Sequence, residues 1–196
     1  DLSFMDEFSN IKALLVIVQP GMEGGNAFAD ILSGKVNPSG KLADTWAYKY
    51  EDYPSSEKFS HNNGNVETEL YDEGIYVGYR YFDTFEVPVR YGFGYGLSYT
   101  DFEITGCALK AVSAEKIRVT ATVRNTGNVS GKEVVQVYAS LPGGILEKEA
   151  HRLAAYAKTN ELKPGEAQEV TMEVKMDGLT SYDEKRAAWI LESGFY

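Results

Sequence analysis

The spacing of apolar and polar positions changes character near residue 100 of this chain. Residues 11–18 (IKALLVIV) are almost continuously apolar, the texture of a strand covered on both faces in a parallel sheet. PGMEGG interrupts them. Ala27, Phe28, Ile31 and Leu32 then fall at helical spacing within residues 26–33, and Gly34 stands where a left-handed cap ends a helix. Strand, glycine turn and helix make half of a βαβ unit. A turn at Asn37-Pro38-Ser39-Gly40 leads to a further short strand over residues 41–46 (KLADTW). Residues 48–73 carry Tyr, Ser, Asn and Glu without sustained periodicity, as expected of a long connection that is functional or wraps a neighbour. Ile75, Val77, Tyr79 and Tyr81 alternate with Tyr76, Gly78, Arg80 and Phe82, a period-2 pattern that predicts an extended segment. The run Tyr91-Gly92-Phe93-Gly94-Tyr95-Gly96 allows close backbone approach to another surface.

Beyond this point the pattern is that of antiparallel β-structure. Ile117, Val119, Ala121 and Val123 alternate with Arg118, Thr120, Thr122 and Arg124, and Asn125-Thr126-Gly127-Asn128 turns the chain. Val135, Val137 and Ala139 continue on a partner strand. After the turn at Pro164-Gly165-Glu166, Val170, Met172, Val174 and Met176 alternate with Thr171, Glu173 and Lys175. Short strands with turn signals between them argue an all-β sandwich of the immunoglobulin or fibronectin type III kind, without the Cys-Trp-Cys pattern of antibodies. A last strand is expected at residues 189–191, and a sandwich of this kind calls for a further closing half-strand beyond Tyr196.

At 196 residues and 43% hydrophobic content, the chain can bury a real core as one large or two small domains. Its 29 acidic and 19 basic residues give a formal charge of −10, which repels phosphate backbones and anionic lipid heads and argues against nucleic acid as a partner. No apolar run approaches the roughly 20 residues of a membrane span, so no membrane partner is expected. The single cysteine, Cys107, excludes an internal disulfide and a Cys-rich zinc site, and reads as a small buried filler in a reducing compartment or in a fold that needs no staples. His61 and His151 stand far apart without metal-ligand spacing and are expected at the surface. No metal or cofactor is expected.

PGMEGG fails as a phosphate loop. It matches neither GxxxxGK[ST] nor GxGxxG, and Glu23 would repel an anion. A close-packed corner at a sheet rim is the favoured reading, with Glu23 kept as an exception. Glycoside hydrolysis needs two carboxyls about 5–9 Å apart, and the pool is Glu23, Asp30, Asp44, Glu67, Glu69, Asp72 and Glu73. Nothing in the sequence brings two of them together. Tyr76, Tyr79, Tyr81, Phe82, Tyr91, Phe93 and Tyr95 suit either sugar stacking or cement between domains, the second being favoured.

Four stretches occur in order along the chain: QPGMEGGNAFADILSGKVNPSGKLADTW, EGIYVGYRYFD, YGFGYGLSYTDFE and VRNTGNVSGKEVVQVYAS. Together they resemble the C-terminal half of family 3 glycoside hydrolases, the β-glucosidase group. The resemblance implies that residues 1–98 are the closing part of an α/β sandwich domain with a connecting segment. It implies that residues 99–196 are a fibronectin type III-like β-sandwich, truncated at its last strand. The implied parent is a retaining, exo-acting enzyme. In such enzymes an aspartate of a separate barrel domain attacks the anomeric carbon, and a glutamate from an earlier loop of the α/β domain is the acid/base.

Neither of those residues has a counterpart here, so no catalytic, cofactor-binding or metal-binding residue is assigned and the chain alone is expected to be inactive. Its expected partners are the remainder of the parent, barrel domain and upstream α/β segment, and the parent's carbohydrate substrate. Self-association is expected through a sheet edge that the α/β half leaves open. The rival reading is a stand-alone carbohydrate-binding or adhesion β-sandwich module, and a third makes the β half a spacer that braces its neighbours.

Overall fold

The computed structural model describes residues 2–196. It consists of small antiparallel sheets with few helices. In chain order the elements are α1 (Gly24–Leu32), β1 (Trp46–Ala47), α2 (Tyr79–Thr84), β2 (Val89–Tyr91), β3 (Phe102–Ser113), β4 (Lys116–Asn125), β5 (Val134–Ala139), β6 (Arg152–Lys158), β7 (Ala167–Lys175), β8 (Ser181–Asp183) and β9 (Ala188–Ile190), with one short 3-10 turn before α1 and three between later elements. The sheets are β1-β2, β3-β4-β7, β5-β6 and β8-β9, every pairing antiparallel.

The second half contains the strands its sequence pattern predicts, as β4, β5, β7 and β9, together with β3, β6 and β8, which the pattern does not predict. Val119, Ala121 and Val123 of β4 point inward with Val170, Met172 and Val174 of β7, and meet Val135 of β5, Leu162 and Leu179 in one core. Each buried valine, leucine and methionine of this set contributes on the order of 1.5–3 kcal/mol by leaving water, and Ala121 less. Arg118, Thr120 and Thr122 take the other face, so register is fixed: a slip of one residue would expose every valine. At the turn after β4, Asn125 is fully buried. Its carbonyl oxygen accepts from Thr100 Oγ1 at 2.7 Å and from the Gly127 N–H at 3.1 Å. Its amide donates to the Val129 and Leu162 carbonyls, both at 2.8 Å.

The first half departs from expectation at residues 11–18, 75–82 and 41–46. Residues 11–18 form no strand. A continuous apolar run makes a strand only where neighbouring strands supply a ladder and cover. Here Ile11, Leu14, Val16 and Ile17 stay partly exposed, and Val18 is 85% exposed at a positive φ of 45°. The extended segment expected over residues 75–82 is instead closed by the helix α2. Gly78 at φ 59° turns the chain into it, and the Tyr81 and Phe82 N–H groups both bond the Gly78 carbonyl. The alternation arises because both flanks of this turn bury aromatic rings, which a period-2 pattern cannot distinguish from a two-faced strand.

The helix expected at residues 26–33 is α1, beginning two residues earlier. Gly34 at φ 75° ends it with its N–H on the Ile31 carbonyl at 2.9 Å. Of the strand expected over residues 41–46, only Trp46 enters a ladder, in β1, paired to β2. Cys107 is exposed and not a core filler. It lies on the outer strand β3, beside Gly106 at an irregularity where Thr105 pairs Thr122 and Ala108 pairs Thr120.

The two halves are joined around residues 98–100. The Asn37 carbonyl oxygen accepts from Ser98 Oγ at 3.0 Å and from the Tyr99 N–H at 2.8 Å, while its amide donates to the Ser130 carbonyl at 3.0 Å. Thr100 is held from the other side by Asn125.

Candidate functional site

The PGMEGG corner is a surface turn and not the close-packed rim of a sheet expected from sequence: of its six residues only Gly24 is buried, and the run before it forms no strand. Gly21 needs its left-handed φ of 73°, and a Cβ on Gly24 would lie 2.4 Å from Pro20 Cγ. Glu23 caps this corner by accepting from Asn26 Nδ2 at 2.6 Å. The other carboxylates are spread out. Asp30 pairs with Lys35 at 3.0 Å, Glu69 with His61 at 3.5 Å, and Asp72 with Lys58. The Glu67 N–H and the Glu73 carbonyl serve local turns at Asn65 and Tyr76. His61 and His151 are both exposed, His151 contacting Ser140 Oγ through Nδ1 at 3.3 Å.

Aromatic residues, by contrast, are brought together. Tyr79 lies 5.1 Å from Phe93 and 5.7 Å, edge-on, from Tyr138 of β5. Tyr81 touches both Phe82 and Phe85, Tyr76 meets Phe85 edge-on, and Tyr91 packs on Tyr95 at 4.9 Å. Phe82, 2% exposed, receives Tyr53 edge-on at 5.5 Å. The Tyr53 hydroxyl in turn accepts from the Ala47 N–H and donates to the Thr45 carbonyl. These rings therefore pack mainly on one another, and of these pairs only Tyr79–Tyr138 crosses to the β half, so the cement role expected from sequence falls on Tyr79.

Hydrogen bonds and ions reinforce the same junction. The Tyr79 hydroxyl accepts from the Leu153 N–H, and Thr84 Oγ1 from the Ala150 N–H, both at 2.9 Å. Arg80 reaches the carboxylate of Glu149 at 3.6 Å, and Arg152 grips that carboxylate with two bonds of 2.7 and 2.9 Å. The Glu149 side chain has no exposed surface. Burial works against its ionisation, but the Arg152 bonds, its own backbone and the charge of Arg80 outweigh burial and hold the carboxyl below its ordinary value. Burial raises the Tyr138 phenol, as it does Tyr76, where Glu147 adds to the effect. Lys41 completes the set with Glu133 at 2.9 Å and the Gly96 carbonyl at 2.8 Å.

Against this junction lies a hollow of about 360 Å³ lined by Asp44, Thr45, Gly78, Tyr79, Arg80 and Phe93 among others. Asp44 is its one carboxylate. Its two rings, Tyr79 and Phe93, pack on each other and its guanidinium, Arg80, reaches Glu149, so these groups are already engaged within the protein. The hollow does not supply the two facing carboxyls of glycoside cleavage. Sequence reasoning missed Glu149 and Arg152, because KEAHR reads as a solvated charge cluster. The one available signal was a glutamate and an arginine three residues apart at the mouth of an apolar strand.

Rings, amides and a buried ion cluster thus lock a helix-and-turn part to an antiparallel β part, which defines a two-part protein with a fixed junction. The family description Glycosyl hydrolase family 3 C-terminal domain matches residues 2–79, and Fibronectin type III-like domain matches residues 133–196. The chain belongs to glycosyl hydrolase family 3, as part of its C-terminal region. It is similar to Beta-glucosidase A of Butyrivibrio fibrisolvens, 46% identical over all of this chain and 26% of that protein. Its similarity to an exo-alpha-(1->6)-L-arabinopyranosidase of Bifidobacterium breve is 40% identity over 95% of this chain and 24% of the relative. Among solved structures, β-glucosidase 3B from Thermotoga neapolitana matches with a TM-score of 0.82 and 43% identity, over 89% of this chain and 24% of that one. The chain spans about a quarter of the length of these relatives.

Proposed function

We propose that this chain is the non-catalytic C-terminal portion of a retaining, exo-acting β-glucosidase-like enzyme that removes terminal β-linked sugars. Residues 1–98 close its α/β sandwich domain, and residues 99–196 form a fibronectin type III-like sandwich that braces it. In this reading the nucleophile and the acid/base belong to the barrel domain and the upstream α/β segment, and no residue of this chain acts on the glycosidic bond. The observation that carries it is the match of the whole chain, in order, to a fraction of much longer glucosidases. The junction supports it, since Tyr79 and the buried Glu149 are spent on holding the two parts together.

The test is hydrolysis of a chromogenic β-glucoside, with a chromogenic α-L-arabinopyranoside beside it because one relative is named as an exo-alpha-(1->6)-L-arabinopyranosidase. The isolated chain should give no turnover above a buffer blank. Mixing it with the separately expressed barrel and upstream α/β segment of a β-glucosidase relative should generate activity. Turnover by the chain alone would overturn the proposal. Saturable binding of oligosaccharides to the isolated chain, with no gain on mixing, would favour the rival binding-module reading.

A further inference from the structure

The strand β3 pairs with β4 on one side and with no strand on the other among the described residues. Eleven of its twelve residues are exposed, with Leu109 at 77% and Ile104 at 45%. Edges of this length are normally blunted by proline, by several charges or by bulges, of which β3 has the irregularities at residues 105–108 and 111–113. β3 contains no proline and a single lysine, Lys110.

What the edge can accept is set by its irregularity. Glu103 and Lys110 stand opposite Arg124 and Arg118 of β4, whereas Ile104 and Leu109 stand opposite Val123 and Val119. The two valines face the core, so Ile104 and Leu109 share that face and Glu103 and Lys110 share the other. In a regular strand, residues an odd number apart, as 103 and 110 are, would lie on opposite faces. The extra residue at Gly106 and Cys107, taken up by Gly106 at φ 62°, restores the match.

An antiparallel copy of β3 laid along this edge, with a two-fold axis between Gly106 and Cys107, therefore sets Glu103 against Lys110, Ile104 against Leu109 and Thr105 against Ala108. Each pair occurs twice, and both members lie on a common face. Lys110 also stands beside Arg118, a like charge, and the Glu103 of a second copy supplies an anion there. Registers centred on Glu103 or on Lys110 would oppose like charges instead. We propose that β3 is a self-complementary docking edge whose occupant is β3 of a second copy, joining two three-stranded sheets into one continuous sheet across a two-fold axis.

Sedimentation equilibrium of the chain across a wide concentration range tests this. The wild type should dimerise. Lys110→Glu, which sets a second carboxylate against that of Glu103 while facing Arg118 favourably within its own sheet, should raise the dissociation constant at least tenfold. The exchange Glu103→Lys with Lys110→Glu restores opposite charges and should recover most of the dimer. Mild oxidation with diamide should link Cys107 to Cys107 in the wild type and in the exchange variant, and far less in Lys110→Glu. A wild type that stays monomeric, an exchange variant that fails to recover, or a dimer indifferent to all these changes would overturn the proposal. The last outcome would place association on another face, such as the apolar run at residues 11–18.

Discussion

The Tyr79 hydroxyl accepts the backbone N–H of Leu153 at 2.9 Å across the two halves of the molecule, while its ring lies between Phe93 and Tyr138. Tyr79→Phe leaves that N–H without its acceptor at a cost of about 1 kcal/mol. Tyr79→Ala also removes the ring, for about 3 kcal/mol or more. Thermal melts should fall by about 2–4 °C per kcal/mol for a chain of this size. Equal melting of Tyr79→Phe and wild type would mean that the bond contributes nothing.

Asn125 uses both ends of its buried amide, so its loss strands several partners at once. Asn125→Ala is expected to cost about 3 kcal/mol, since each buried group left unsatisfied costs roughly 1–3 kcal/mol. Asn125→Asp should be worse near neutral pH, where a charged oxygen would face the Val129 and Leu162 carbonyls, and should recover part of its stability on acidification. Urea unfolding at two pH values separates the two effects.

The buried carboxylate of Glu149 makes stability depend on pH in a defined direction. Its folded-state pKa lies below the unfolded one. Its contribution is therefore complete above the unfolded carboxyl range, about 4.3, and is lost as pH falls through the lower folded value. Glu149→Gln leaves Arg152 and Arg80 without their anion and should cost about 3–5 kcal/mol at neutral pH. The gap between wild type and variant, read from urea midpoints, should shrink as the solution is acidified. A gap independent of pH would show that the carboxylate charge is not what stabilises the junction.

Gly96 faces the Gly40 carbonyl, where a Cβ would sit 2.3 Å from the oxygen. Backbone cannot rotate aside as a side chain does, so Gly96→Ala must push the segment carrying Lys41 away from Glu133. A loss of about 1–3 kcal/mol is expected. Gly92→Ala, with nothing within 4 Å of the added carbon, serves as the control and should be nearly silent.

Strands β4 and β7 were legible because they have one buried and one solvated face, so Val119, Ala121 and Val123 announce both their conformation and their direction, whereas β3, exposed along nearly its whole length, carries no such signal. The helix α1 and its Gly34 stop were legible for the same local reasons. Residues 11–18 misled because a wholly apolar run encodes a demand for neighbours and not a conformation. The α2 segment misled because rings are buried on both of its flanks. Cys107 misled because local sequence cannot say which strand lies outermost. The junction was visible only in part: its aromatic residues stood out by composition, whereas Glu149 and Arg152 are joined to Arg80 by long-range folding that no local pattern records.

Residues 98–100 are fastened on both flanks, Ser98 and Tyr99 by Asn37 and Thr100 by Asn125. No slack remains there to act as a swivel. Any protein grafted onto one half would inherit a set heading from the other, and cutting the chain between them would leave two raw ends with amides still seeking their mates.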